Sequence, residues 1–171
     1  MTKLLLSLAT VSTVTIINLS ASGLSASFTD TKMWDGKTVP KEEVCSNYNM
    51  EAGSTPEIML KNIPTNSQKV ILTFTDETFK GMNNGGHGVV SYTLTANTNT
   101  TTIPSFQGET FDLPENFTSV IAHRGTKYKK TPGAYLAPCS GGKGNTYSVL
   151  IQAVNKDSKV LDKTTLTLGK Y

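Results

Sequence analysis

Three runs of β-branched and aromatic residues limit what this chain can fold into. Residues 69–75 (KVILTFT), 89–95 (VVSYTLT) and 147–154 (YSVLIQAV) have strand length and strand composition. Shorter runs at 57–60, 119–122 and 160–168 add further candidates, the last alternating over 165–168. The first and third strong runs are apolar on both phases and read as central strands. Turn-forming clusters separate them, NNGG at 83–86 and SGGKGN at 140–145. The Asn/Thr-rich stretch 98–102 reads as a solvated loop. Past the N-terminal segment, neither sustained helical periodicity nor a long repeat is visible. The expectation is a mainly β domain whose long loops carry its function.

The N-terminus has a different character. Lys3 precedes an uncharged, apolar stretch from Leu4 to Leu19, and small residues follow through Ser27. This layout predicts a secretory signal peptide over 1–26, cut near Ala26 with Gly23 and Ser27 as rival sites, and a domain over 27–171. As a membrane span the segment is too short and too rich in hydroxyls. Elsewhere nothing approaches a spanning length, so the mature chain is expected to lack a transmembrane segment and to be periplasmic or secreted.

Composition excludes some functions. The 171 residues fit one domain, and 37% hydrophobic with 17% charged residues is ordinary globular material. A net charge of +3 is too small to argue for nucleic acid, and only Lys127, Lys129 and Lys130 cluster. That cluster reads as a solvated loop. Two cysteines, Cys45 and Cys139, in an exported chain fit one disulfide, with two unrelated buried thiols as the competing arrangement.

Catalytic signatures are sparse. His87 and His123 are the only histidines, too few for a metal site by spacing. The chain has no G-x-S-x-G elbow, and the glycine-rich run around Lys143 lacks the hydroxyl that a phosphate-binding P-loop needs. One pair stands out: Asp76 ends a strong strand run, and His87 opens the next after a glycine-rich turn. Strand ends of this kind converge, and a carboxylate beside an imidazole holds its tautomer and raises its pKa. Such a donor can receive a phosphate oxygen. The competing reading makes Asp76 a turn cap and His87 a satisfied strand-end residue.

A set of short segments, in order along the chain, resembles one family. Asp35-Gly36-Lys37-Thr38-Val39-Pro40-Lys41 followed by Cys45 is similar to D-G-x-x-[IV]-P-K then C. Thr55-Pro56-Glu57-Ile58 through Ile63-Pro64 resembles S-P-x-L-x-W-x-x-V-P. Residues 73–78 (TFTDET) stand where a strand runs into D-P-D-A-P, and His87-Gly88-Val89-Val90 resembles H-W-V-V. Tyr135-Leu136-Ala137-Pro138-Cys139 resembles Y-x-G-P-C, Tyr147 fits the Tyr of H-x-Y, and Gly169-Lys170-Tyr171 resembles a terminal G-x-Y. These are the motifs of the phosphatidylethanolamine-binding proteins, in their bacterial Raf-kinase-inhibitor-like branch.

The resemblance implies a β-sandwich with long loops, a reduced C-terminal helical part and one shallow anion pocket. Its lining would be Asp76, His87, Tyr135, Tyr147 and the loop with Pro138 and Ser140, and it places Cys45 and Cys139 together as a disulfide. The implied function is binding of a small anion or phosphorylated headgroup, without catalysis and without a cofactor. The alternative is an exported interaction or inhibitor protein that keeps the scaffold and modulates a protein partner. Departures fall at the pocket. D-P-D-A-P is Asp76-Glu77-Thr78-Phe79-Lys80 here, the Trp after the His is Gly88, and the second pocket His is replaced near Asn145.

Overall fold

The computed structural model of the protein describes residues 23–171. The segment expected to direct export lies outside the described residues up to position 22, and the expected boundary at Ala26 falls inside the first strand. The strands are β1 (Ser25–Phe28), β2 (Ile58–Lys61), β3 (Lys69–Asp76), β4 (Val89–Thr93), β5 (Thr100–Ile103), β6 (Phe117–Ile121), β7 (Thr146–Val154) and β8 (Val160–Lys170). The helical content among the described residues is three short 3-10 turns, at Lys41–Glu43, Lys80–Met82 and Arg124–Tyr128.

The strands form two antiparallel sheets, one of three strands in the order β1-β2-β5 and one of five in the order β6-β4-β3-β7-β8. The protein is therefore mainly β, as the strand runs require. The 69–75 and 147–154 runs do occupy interior positions, side by side, as β3 and β7. The reason is visible in their alternation. Val70, Leu72 and Phe74 face the core and pair directly with Ala153, Ile151 and Val149. Ile58, Leu60 and Ile103 of the smaller sheet belong to the same buried cluster. Each large aliphatic or aromatic side chain removed from water here stabilises the fold by roughly 1.5–3 kcal/mol.

One expectation needs correction. The 98–102 stretch is not all loop, because β5 runs from Thr100 to Ile103 and pairs along β2. Threonine is β-branched and suits a half-exposed outer strand, and the apolar partner that anchors this one, Ile103, lies just past the low-complexity patch. The reduced C-terminal helical part is absent from the described residues, where β8 fills the chain to Lys170.

Cys45 and Cys139 are disulfide-bonded, with Cα atoms 5.2 Å apart and 94 residues between them in sequence. The bridge ties the segment after the Lys41–Glu43 turn to an extended strap, residues 133–139. The strap is held along its length by its backbone. Ala134 N–H donates to Thr110 O (2.9 Å), Leu136 N–H to His87 O (3.0 Å), and Cys45 N–H to Pro138 O (3.1 Å).

Candidate functional site

The alternation that builds β3 puts its last residue, Asp76, on the core-facing side, where it is 3% exposed. A carboxylate in that place needs donors. Oδ1 accepts the backbone N–H of Thr78 (2.9 Å) and of Phe79 (2.8 Å), and Oδ2 accepts the Asn145 amide (2.7 Å). The two backbone bonds form a turn that caps β3. Directly opposite Asp76 in β7 stands Tyr147, whose Oη receives the N–H of Cys139 at 3.2 Å. Burial, with Asp76 nearby, pushes the Tyr147 phenol up to about 12 against the effect of its hydrogen-bond donors, so it keeps its proton at neutral pH.

His87 completes the floor. Its ring meets Tyr147 edge to face, with centroids 5.2 Å apart. Its Nδ1 lies 2.7 Å from Leu136 O. A carbonyl oxygen only accepts, so Nδ1 carries the proton and the neutral ring leaves Nε2 as a bare acceptor. Burial lowers the His87 pKa to about 4, overriding the opposing pull of the Leu136 carbonyl and of Asp76. This corrects the expectation from sequence. Asp76 gives three of its roughly four acceptor sites to the β3 turn and to Asn145 and none to the imidazole, Leu136 orients the ring, and the pKa moves down instead of up.

Above this floor opens a cleft of about 360 Å³. Its mouth carries three partly exposed aromatic rings, Tyr48, Phe79 and Tyr128, and two lysines, Lys130 and Lys143. Phe79 and Tyr128 pack edge to face at 5.4 Å, and Lys130 Nζ sits 5.5 Å above the Tyr48 ring. Phe79 therefore stands at the rim and does not plug the cleft. Lys143 rides on the 140–145 loop, where Gly141, Gly142 and Gly144 all have positive φ, a backbone that glycine adopts without strain.

Of the residues expected to line the pocket, Asp76, His87, Ser140 and Tyr147 do so. Tyr135 and Pro138 do not line this cleft. In an extended strap successive side chains face opposite ways, and here Leu136 faces the cleft while Tyr135 packs inward against Phe74 at 4.6 Å between ring centroids. Tyr135 is 1% exposed. Donors of the loop with Pro138 and Ser140 are also partly committed, since the backbone N–H of Cys139 goes to Tyr147 and the side-chain Oγ of Ser140 donates to Tyr171 O at 2.5 Å. Sequence reasoning missed Tyr48, Tyr128, Lys130 and Lys143 as rim residues. Lys130 and Lys143 were visible only as parts of a charge cluster and a glycine-rich run.

Among the described residues no group of three or more His, Cys, Asp or Glu side chains is arranged to hold a metal ion. No helix among them is long and apolar enough to cross a membrane. Fold and site together define a mainly β protein with a disulfide-tied strap over a cleft of mixed polarity. No protein-family model matches the chain, and comparison with curated proteins finds no significant match.

Proposed function

We propose that this protein is a binding module for a small phosphorylated headgroup of the phosphoethanolamine type, working outside the cytoplasm on a scaffold related to the phosphatidylethanolamine-binding sandwich. One observation carries the reading: the floor offers acceptors and the mouth offers cations. Asp76 and the bare Nε2 of His87 suit an ammonium or another donor. Lys130 and Lys143 suit a phosphate, and the aromatic rim suits the methylene groups between them. A lone phosphate on the floor would face a carboxylate and a nitrogen lone pair, so the ligand enters amine first. The disulfide supports an oxidising compartment.

Calorimetric titration with phosphoethanolamine, inorganic phosphate and ethanolamine at neutral pH tests this. The expected result is that phosphoethanolamine binds more tightly than either fragment. Phosphate binding as well as phosphoethanolamine would overturn the amine-first orientation. Failure of all three at millimolar concentration would overturn headgroup binding. It would favour the second reading, a protein partner, for which exposed Val120 and Ile121 on the outer strand β6 are the relevant observation.

A further inference from the structure

The folded unit begins earlier than Ala26. Leu24 is 6% exposed and belongs to the hydrophobic core, and β1 starts at the next residue. The Leu24 nitrogen lies 2.7 Å from Oδ2 of Asp162 on β8. The other oxygen, Oδ1, takes the Lys163 N–H at 2.7 Å. Gly23 sits close against the same carboxylate, where a Cβ would stand 3.3 Å from Oδ2. A cut after Ala26 would remove Leu24 from the core and strip Ser25 and Ala26, half of β1, from their partners Lys61 and Leu60.

In the sequence, Ala21 and Gly23 put small residues at the third and first positions before the Gly23–Leu24 bond, the pattern that signal peptidases read. We infer that this bond is the processing site and that the new Leu24 α-ammonium docks on Asp162. In the cut, water gives its hydroxyl to the Gly23 carbonyl carbon and a proton to the Leu24 nitrogen, the new Gly23 carboxylic acid passes its own proton to the amine to make the ammonium, and nothing is oxidised or reduced. An amide-to-carboxylate hydrogen bond thereby becomes an ion pair at the same two atoms. Among the described residues, the hydrogen bond given up is one long bond to the Gly23 carbonyl from the Asn62 amide, at 3.4 Å. A carboxylate is already in place for the charge that processing creates, and the first residue retained is also the first core residue among the described residues.

The full chain, expressed in a bacterial host that exports it, supplies the test. Intact mass and N-terminal sequencing should place the start at Leu24, and a start at Ser27 or Phe28 would overturn the proposal. The α-amine of the exported protein, followed by NMR after isotopic reductive methylation, should titrate above the ordinary α-amino range. The shift should disappear in Asp162→Asn. An amine that titrates alike in both proteins would overturn the docking even if the cut is correct.

Discussion

His87 and Leu136 hold each other twice. The Leu136 N–H donates to the His87 carbonyl oxygen at 3.0 Å, and His87 Nδ1–H donates back to the Leu136 carbonyl oxygen at 2.7 Å. This reciprocal pair fixes the imidazole tautomer and closes the strap over the β3–β4 end of the sheet. It decides which ring nitrogen of His87 is left as an acceptor on the cleft floor.

The first prediction concerns pH. The folded pKa of His87, about 4, lies below its ordinary unfolded value of 6.5. Between those values the unfolded chain binds a proton that the folded chain refuses. Stability should be unaffected by His87 above the upper value, decline as pH falls through the window, and level off below the lower one. The total loss is about 3 kcal/mol at ~1.4 kcal/mol per unit. His123, also lowered by burial, contributes with the same sign. Urea denaturation from pH 4 to 7 should show a shallower slope for His87→Gln than for the wild type. Imidazole NMR signals of His87 that titrate near neutrality would contradict the assignment.

The division of the cleft into floor and mouth gives a second prediction. Asp76→Asn should weaken phosphoethanolamine binding about 10- to 100-fold, the effect of losing a charged hydrogen-bond partner worth ~1.5–3 kcal/mol. Lys130→Ala and Lys143→Ala should each cost no more than about 5-fold, because exposed ion pairs are worth ~0.2–1 kcal/mol. The lysine effects should shrink in high salt and the Asp76 effect should not. Titrations at low and high salt separate the two.

A third prediction follows from the bridge. Cys45→Ala with Cys139→Ala should cost roughly 2–4 kcal/mol of stability, because the closed loop is long. The same double variant should also weaken ligand binding in protein that remains folded, since the strap that carries the Leu136 carbonyl loses its anchor. Denaturant midpoints and calorimetry on one sample report both effects.

Gly88 supports a fourth. Its φ is +113°, and a Cβ built there would stand 2.0 Å from the Ala134 carbonyl oxygen. Gly88→Ala should therefore destabilise by at least ~2 kcal/mol, combining backbone strain with a clash against fixed backbone. A neutral result in thermal unfolding would show that the strap can retreat. The Trp that the resembling family has at this position has no room in this chain.

The sequence by itself determined the class of fold and the position of its centre. Alternation and β-branching are local properties, so β3, β4 and β7 were legible within a residue or two, and so was the convergence of Asp76 and His87 in one cleft. What it could not show were features made by distant partners. β1 looked like the tail of an export segment because its pairing with β2 depends on contacts thirty or more residues away. Tyr135 and Leu136 are adjacent in a motif, yet only the strap's direction decides which one faces the cleft. The histidine's charge was misjudged for the same reason. Spacing placed a carboxylate nearby, but desolvation and the Leu136 carbonyl, both products of the tertiary fold, set the proton's affinity. Electrostatics at a buried group are a sum over everything packed around it, and that sum exists only once the chain has folded.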